Sequence, residues 1–240
     1  MSGSQTLSSS LKFSTTGVLT VSCLGSDVLA ACSDRRFKNC DRENFLRLLG
    51  LRQKDLVLVH QVHGARVLVV GSDSVPSDRE PADGLLTRSP GLILGIRTAD
   101  CVPVFLWHPQ RRVAGVIHVG WKGLRSGILK QAFQLLDSSF SSDPAAIQIA
   151  FGPAIRLCCY EVGAEFQNYF PRFYRKVTDQ RGYADLPGAA RAELLTLGVK
   201  EVHIFDTGIC TSCQNATFFS ARKEKTEERI LSVIQIQNSY

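Results

Sequence analysis

The fold class follows mainly from one apolar run, residues 113–121, with the sequence VAGVIHVGW. A strand with one face in water alternates apolar and polar residues, whereas a continuous apolar run is typical of a strand buried on both faces. Both faces of such a strand must be covered by further sheet or helix. The sequence therefore predicts a layered architecture around this strand.

Strands and helices alternate along the rest of the chain. The segment DLVLVHQVHGARVLVVG has two β-branched runs that separate at His63, and LILGIRTADC and VPVFLW continue the apolar pattern. Further strands are predicted in AIQIAF and VHIFDT. Helices are predicted for residues 40–51 with Asp41 as cap, and for 125–140, 158–170 and 185–199. This alternation predicts an α/β (α+β) fold with mixed sheets.

The composition favours a globular protein. Of 240 residues, 44% are hydrophobic and only 21% are charged, so the chain can bury a sizeable core. No apolar run approaches the roughly 18 to 20 residues of a membrane-spanning helix, and MSGSQTLSSSLKF lacks the apolar core of a secretory signal. We expect a cytoplasmic protein without membrane attachment, and a loosely attached tail over the serine-rich residues 1–10.

The charge balance bears on the partners. A net charge of +6, from 28 Lys and Arg against 22 Asp and Glu, favours anionic substrates and phosphate in particular. The basic residues are dispersed and no nucleic-acid-binding module surrounds them. We therefore expect small anionic ligands and no nucleic acid.

Three residues could hold a catalytic zinc ion. His63, Cys101 and His118 each lie at the predicted end of a different strand, where loops of an α/β fold converge on a ligand crevice. Catalytic zinc usually takes three such ligands and keeps a fourth position open. The hypothesis depends on tertiary convergence. The alternatives are a turn histidine, a buried apolar cysteine and a core histidine hydrogen-bonded to backbone.

The eight cysteines are expected to be reduced thiols, because a chain of this length without a secretory signal is not a disulfide framework. The CTSC segment, Cys210 to Cys213, could be half of a structural zinc site or a redox pair. No second CxxC accompanies it. We therefore favour structural thiols for this pair.

A series of motifs occurs in order along the chain: QVHG, ADG with TRSPG, TADCVPV, HVGWKGL, GPAI, CCYEVG, GICTSC and FFSARK. On these motifs the chain resembles the YfiH/YlmD family over roughly residues 55–236. This family is related to the mammalian laccase-domain protein. Its members were once labelled polyphenol oxidases and later purine nucleoside phosphorylases.

The resemblance implies a single catalytic domain, residues 11–240, with two mixed sheets flanked by helices. It implies a zinc site made of His63, Cys101 and His118. It also implies phosphorolysis of adenosine, inosine, guanosine and methylthioadenosine, together with deamination of adenosine. The expected partners are purine nucleosides and inorganic phosphate, and the expected assembly is a monomer or a homodimer.

Further site residues follow from the same motifs. Asp100 is a candidate acid or base, with a turn-capping or ligand-orienting role as the alternative. Lys122 and Arg222 match basic positions of the family motifs and could hold phosphate. Phe219, like Trp121, could stack on the purine. The N-terminal segment STTGVLT departs from the family pattern STRxGG, which puts one substrate contact in question.

Other functions remain open at the sequence level. Cys101 could be the nucleophile of a metal-free hydrolase with His118 as its base. A copper-dependent, laccase-like polyphenol oxidase would need more histidines than the sequence offers. Editing of peptidoglycan precursors and a non-enzymatic scaffold are further alternatives. Metal analysis separates the hydrolase from the zinc enzyme.

Overall fold

A computed structural model describes residues 11–13 and 17–237, so the predicted tail over residues 1–10 lies outside the described part. The strands are Leu11–Phe13 (β1), Val18–Val21 (β2), Val28–Ser33 (β3), Leu56–Val57 (β4), Val67–Val70 (β5), Gly84–Thr87 (β6), Ile93–Thr98 (β7), Val102–His108 (β8), Val113–Val119 (β9), Gln148–Phe151 (β10), Glu161–Gly163 (β11), Tyr174–Lys176 (β12), Arg181–Ala184 (β13), Ile204–Asp206 (β14) and Ile230–Ile236 (β15). The α-helices are Arg42–Leu48 (α1), Trp121–Arg125 (α2), Ile128–Phe140 (α3), Leu186–Thr196 (α4) and Ala221–Glu224 (α5).

Two six-stranded sheets form the body of the protein. The first sheet has the order β1-β2-β3-β15-β7-β4, and only β4 and β7 pair in parallel. The second has the order β14-β10-β8-β9-β6-β5, with parallel pairs at both edges. Both sheets are mixed, which confirms the predicted fold class. A small antiparallel sheet, β11-β13-β12, was not predicted.

The central strands β8 and β9 explain the layering. All seven residues of each strand are buried, as the continuous apolar sequence predicted. Side chains alternate between the two faces of a strand. Accordingly Val104 and Leu106 belong to the core beneath α3 and α4, whereas Phe105 and Trp107 belong to the core between the two large sheets.

The helices cover the outer faces. The buried residues of α3 and α4 join the core on one face of the second sheet. On the opposite side, Phe45 and Leu46 of α1 pack on the first sheet. Asp41 occupies the predicted cap position of α1, but its side chain makes no capping hydrogen bond. Asp185 does cap α4, because its carboxylate accepts a hydrogen bond from Gly188 N at 3.0 Å.

The helix predicted for residues 158–170 is wrong. The segment contains β11 and a 3-10 helix, Ala164–Asn168. Tyr160 and Phe166 are both buried but six residues apart, a spacing that places them on different faces of an α-helix. Pairing of Glu161–Gly163 with Arg181–Tyr183 satisfies the backbone instead.

The strand ends meet at one edge of the two large sheets. The end of β7, the beginning of β8 and the end of β9 all lie there, because β8 follows β7 after three residues and pairs antiparallel with β9. Within the described residues no helix is long and apolar enough to cross a membrane.

Candidate metal centre

The three predicted metal ligands lie together. The ligand atoms of His63, Cys101 and His118 are all within 4.8 Å of one another. Cys101 directly precedes β8, and Val102 pairs with Val119, so this cysteine lies beside the end of β9 that carries His118. His63 reaches the same point from the loop between β4 and β5. The pairing of β8 with β9 therefore joins Cys101 and His118, which are 17 positions apart, and the loop between β4 and β5 adds His63, which is 38 positions before Cys101.

One fully buried carboxylate, that of Asp83, orients the two histidines. Its Oδ1 accepts hydrogen bonds from His118 Nδ1 at 2.8 Å and from the backbone N–H of His63 at 2.9 Å. Because Nδ1 of His118 is engaged, Nε2 is the nitrogen left for a metal ion, and the carboxylate fixes both the tautomer and the ring orientation. Asp83 lies in the ADG motif, and its position there alone did not predict this role.

The loop that carries His63 wraps around the same carboxylate. The N–H groups of Gly64 and Val62 donate to Asp83 Oδ2 at 2.7 and 3.2 Å. His63 adopts a positive φ of 58°, which costs a non-glycine residue roughly 1 to 2 kcal/mol. Gln61 exchanges two hydrogen bonds of 2.8 Å with the backbone of Arg97, which fixes the start of this loop. These contacts offset the strain and hold His63 in place.

Hydrogen bonds and charges favour the ionised forms of the site. Burial raises the pKa of Asp83, but the hydrogen bond from His118 and those from the loop backbone outweigh it and lower this pKa. Burial also opposes ionisation of Cys101, yet the imidazoles of His118 and His63 lower its pKa to about 6. Asp83 and Cys101 raise the pKa of His118 to about 9 against its burial. These interactions therefore favour the thiolate form of Cys101, which is the form that binds a metal ion.

Two glycines of the HVGWKG segment allow this close packing. A Cβ atom on Gly120 would lie 3.1 Å from His63 Cδ2 and 3.2 Å from Cys101 Sγ. A Cβ atom on Gly123 would lie 2.6 Å from the carbonyl oxygen of Gly64. Side chains at these positions would displace the ligand residues or their loop.

A cleft of about 460 Å³ opens beside the three ligands. Two arginines line it, Arg97 from β7 and Arg229 next to β15, and neither side chain makes a salt bridge within residues 17–237. Burial, followed by the charges of Arg42 and Arg229, lowers the pKa of Arg97. Thr98 also belongs to the lining residues. These groups suit an anionic, hydrogen-bonding ligand.

Asp100 lies next to the centre but does not line the cleft. Its Oδ1 accepts from Thr211 Oγ1 at 2.7 Å and its Oδ2 from the backbone N–H of Arg222 at 2.7 Å. Its carbonyl oxygen accepts from Ile155 N at 2.9 Å, and its φ is +93°. These contacts hold the turn that places Cys101, which is the positioning role weighed for this residue.

The other predicted substrate contacts also lie away from the cleft. Lys122 Nζ lies 5.8 Å from the ring centre of Trp121. Trp121, which was expected to stack on the purine, stacks on the ring of Tyr169. Phe219 is a core residue that is 3% exposed.

Arg222 is directed elsewhere as well. Its guanidinium donates to the carbonyl oxygen of Glu161 and lies over the ring of Tyr160. Arg97 and Arg229 line the cleft where Lys122 and Arg222 were expected to provide its positive charge. Neither arginine was predicted to line the cleft, although Arg97 directly precedes the TADC motif.

The donor set fits zinc. Imidazole and thiolate are both ligand types that catalytic zinc sites use, and three protein ligands leave a coordination position for another group. A multicopper centre needs many histidines. In the described part of the chain, only two groups of three or more His, Cys, Asp or Glu could hold a metal ion, and this group is the only one with histidines.

Comparisons with known proteins find relatives over most of the chain. Residues 31–237 match the family described as "Multi-copper polyphenol oxidoreductase laccase". A protein named adenosine deaminase RL5, from an unknown prokaryotic organism, is 33% identical over 190 residues, which cover 73% of this chain and 72% of that protein. Purine nucleoside phosphorylase YfiH of Escherichia coli is 35% identical over 184 residues, which cover 74% and 72% respectively.

The fold matches a solved structure as well. The crystal structure of YlmD from Geobacillus stearothermophilus superposes with a TM-score of 0.90 at 25% sequence identity. The superposition covers 95% of this chain and 99% of that one. The resemblance to YfiH and YlmD that the motifs indicated is thereby confirmed.

Replacing Asp83 by Asn should weaken metal binding by about 10- to 100-fold, because an amide cannot accept hydrogen bonds at both ends from His118 and the loop backbone. Competition with a chromophoric chelator measures the affinity. Asp55→Asn, which removes a carboxylate paired with Arg52 at the surface, is the matched control and should bind like the wild type. Equal affinities of the Asp83→Asn variant and the wild type would show that the carboxylate does not support the centre.

Gly120→Ala should also lower metal affinity without unfolding the protein, since the added methyl group would press on His63 and Cys101 only. We expect a loss of at least about tenfold, by analogy with other changes that displace metal ligands. Gly71→Ala, whose methyl group would meet only Ser74 Oγ, is the control. Wild-type affinity in Gly120→Ala, with an unchanged unfolding transition, would contradict the close approach described above.

Proposed function

Since the chain belongs to the multi-copper polyphenol oxidoreductase laccase family, whose curated relatives act by name on purine nucleosides, we propose that it is a zinc-dependent purine nucleoside phosphorylase. Its substrates are adenosine, inosine, guanosine and methylthioadenosine. Deamination of adenosine is a side activity of the same site. The observation that carries this proposal is the convergence of His63, Cys101 and His118 beside a cationic cleft.

The cleft supports a substrate of nucleoside size. Its volume of about 460 Å³ falls within the roughly 300 to 1,000 Å³ typical of small-molecule sites. Its lining combines the arginines Arg97 and Arg229 with Thr98, His60 and Glu227. Such a set can hold phosphate at one end and hydrogen-bond a ribose or a purine at the other.

Phosphorolysis needs a positioned phosphate and a proton for the departing base. A phosphate oxygen forms a bond to C1′ of the ribose while the bond from C1′ to the purine nitrogen breaks and its electron pair leaves with the base. Arg97 and Arg229 hold the phosphate and reduce its repulsion from electron-rich groups of the nucleoside. His60 and Glu227 are the side chains of the cleft, outside the metal ligands, that can supply the proton the base takes up.

The metal centre has its own part in this proposal. When bound, zinc supplies a Lewis acid that polarises an oxygen or nitrogen of the reacting partners. The chain's contribution is to keep that position fixed: Asp83 orients His118, and the loop of His63 is held by Asp83 and Gln61. The same arrangement supports deamination, in which water replaces the amino group of adenosine and ammonia leaves.

A metal-free cysteine hydrolase is the second candidate, because the imidazoles beside Cys101 lower its pKa to about 6 against the effect of burial. A thiolate beside an imidazole is the arrangement of nucleophilic cysteine enzymes. Such an enzyme would keep its activity in the presence of a chelator and would lose it on alkylation.

Purified protein should release purine base from inosine only when phosphate is present, and should lose this activity on chelation and regain it with zinc. His63→Ala should abolish both metal retention and turnover at this centre.

Arg229→Gln should raise the KM for phosphate by about tenfold or more, the value of one lost charge-assisted hydrogen bond. Arg52→Gln, a surface control paired with Asp55, should not change it.

The contradicting results are equally definite. Turnover that survives metal removal and stops on alkylation of Cys101 would establish the hydrolase. Base release that does not depend on phosphate, or no base release and no deamination with any purine nucleoside in the zinc-loaded protein, would refute the phosphorylase.

A further inference from the structure

A second cluster of metal-ligating side chains lies outside the cleft. We propose that Cys158, Cys159, Cys210 and Cys213 bind a structural zinc ion with four thiolate ligands. The four sulfur atoms lie within 4.8 Å of one another, and no disulfide joins them. The sequence pattern did not predict this site, because the two ligands that join Cys210 and Cys213 are the adjacent cysteines Cys158 and Cys159 and not a second CxxC motif.

The distances between the sulfur atoms fit a tetrahedral ion. Cys158 Sγ lies 3.6 Å from both Cys210 Sγ and Cys213 Sγ, and Cys159 Sγ lies 3.3 Å from Cys213 Sγ. Zn–S bonds of about 2.3 Å in tetrahedral geometry separate the sulfur atoms by roughly 3.8 Å. A disulfide bond is far shorter, about 2.05 Å. The cluster is thus close to the spacing of a zinc site and needs only small shifts to bind.

Backbone pairing holds the two halves of the cluster together. Ala154 forms a parallel bridge with Cys210, and Thr211 N donates to Ala154 O at 3.1 Å. Arg156 adds a paired contact with both carboxylate oxygens of Asp206 and donates from Nε to the carbonyl oxygen of Ile209. These contacts fix the segment of Cys158 and Cys159 relative to the segment of Cys210 and Cys213, as a preformed site requires.

The closeness of the four sulfur atoms also favours a cation, because thiolates this near to one another would repel. A divalent cation removes this conflict, because it stabilises all four thiolates at once.

Four protein ligands assign the ion a structural role. A closed set of four cysteines leaves no position for a substrate, and none of the four lines the cleft. The cluster is connected to the turn that places Cys101, because Thr211, next to Cys210, donates to Asp100 at 2.7 Å. Asp100 in turn precedes Cys101. The ion would therefore fix the loops that support the other metal centre without taking part in the reaction.

Metal analysis of single-centre variants tests the proposal independently of any activity. Protein purified with reductant and zinc should contain about two zinc ions per chain, and His63→Ala should retain about one, because the four-cysteine set is intact. The double change Cys210→Ser with Cys213→Ser should instead lose the structural ion. Cys40→Ser, which removes an exposed cysteine outside both centres, should retain two.

Cobalt substitution of the His63→Ala protein gives a second readout if the cysteine variants fail to fold. Four thiolates around cobalt produce intense sulfur-to-cobalt charge-transfer bands and the strong visible bands of a tetrahedral site. Titration of these thiols with an organomercurial should release the ion in step with their modification. A His63→Ala protein that binds no metal would overturn the proposal. This holds if its four cysteines are free thiols that react with the organomercurial, and it holds equally if mass spectrometry shows that they form disulfides, with the loss of two hydrogens for each. A native zinc content of one ion bound by the histidine centre would overturn it as well, whatever the enzyme assays show.

Discussion

The active-site geometry depends on one buried carboxylate. Asp83 directly precedes β6. Its carbonyl oxygen accepts from His118 N at 2.7 Å, and its side chain accepts from the ring of His118 and from the loop of His63. A buried charge is costly unless it is paired and hydrogen-bonded, and here all the partners belong to the metal-binding elements. The same contacts that satisfy the carboxylate therefore assemble the site.

The central pair β8 and β9 supplies the rigid frame for these contacts. Both strands are wholly buried between the first sheet and the helices, so their ends cannot shift without disturbing two cores. Cys101 precedes one strand and His118 lies near the end of the other. The cleft with its arginines opens next to these two residues. The cysteine cluster is linked to the same turn through the hydrogen bond from Thr211 to Asp100.

Sequence reasoning succeeded where local pattern and burial agree. The continuous apolar runs predicted β7, β8 and β9, and the polar residues at predicted strand ends indicated that His63, Cys101 and His118 would lie together, as they do. It failed where the outcome depends on tertiary contacts. The helix predicted for residues 158–170 is a strand and a 3-10 helix, because this segment pairs with residues that follow it and carries half of the cysteine cluster.

Charged side chains were the hardest to assign. Motif position indicated Lys122 and Arg222 for the cleft, but a long side chain at a helix end can turn either way, and theirs turn to aromatic rings and a backbone carbonyl. Arg97 lies in β7 and Arg229 directly precedes β15, and the pairing of these two strands, which are far apart in sequence, brings both residues to the cleft. The role of Asp83 needed the hydrogen-bond partners of its two oxygen atoms, which no spacing in the sequence gives.

The most direct test of the account is anomalous diffraction at the zinc absorption edge from crystals of the zinc-loaded protein. The account predicts a peak within about 2.0 to 2.3 Å of Cys101 Sγ and of one imidazole nitrogen each of His63 and His118, with Asp83 on the far side of the His118 ring. Absence of anomalous density between these three side chains, in crystals that contain zinc elsewhere, would contradict it.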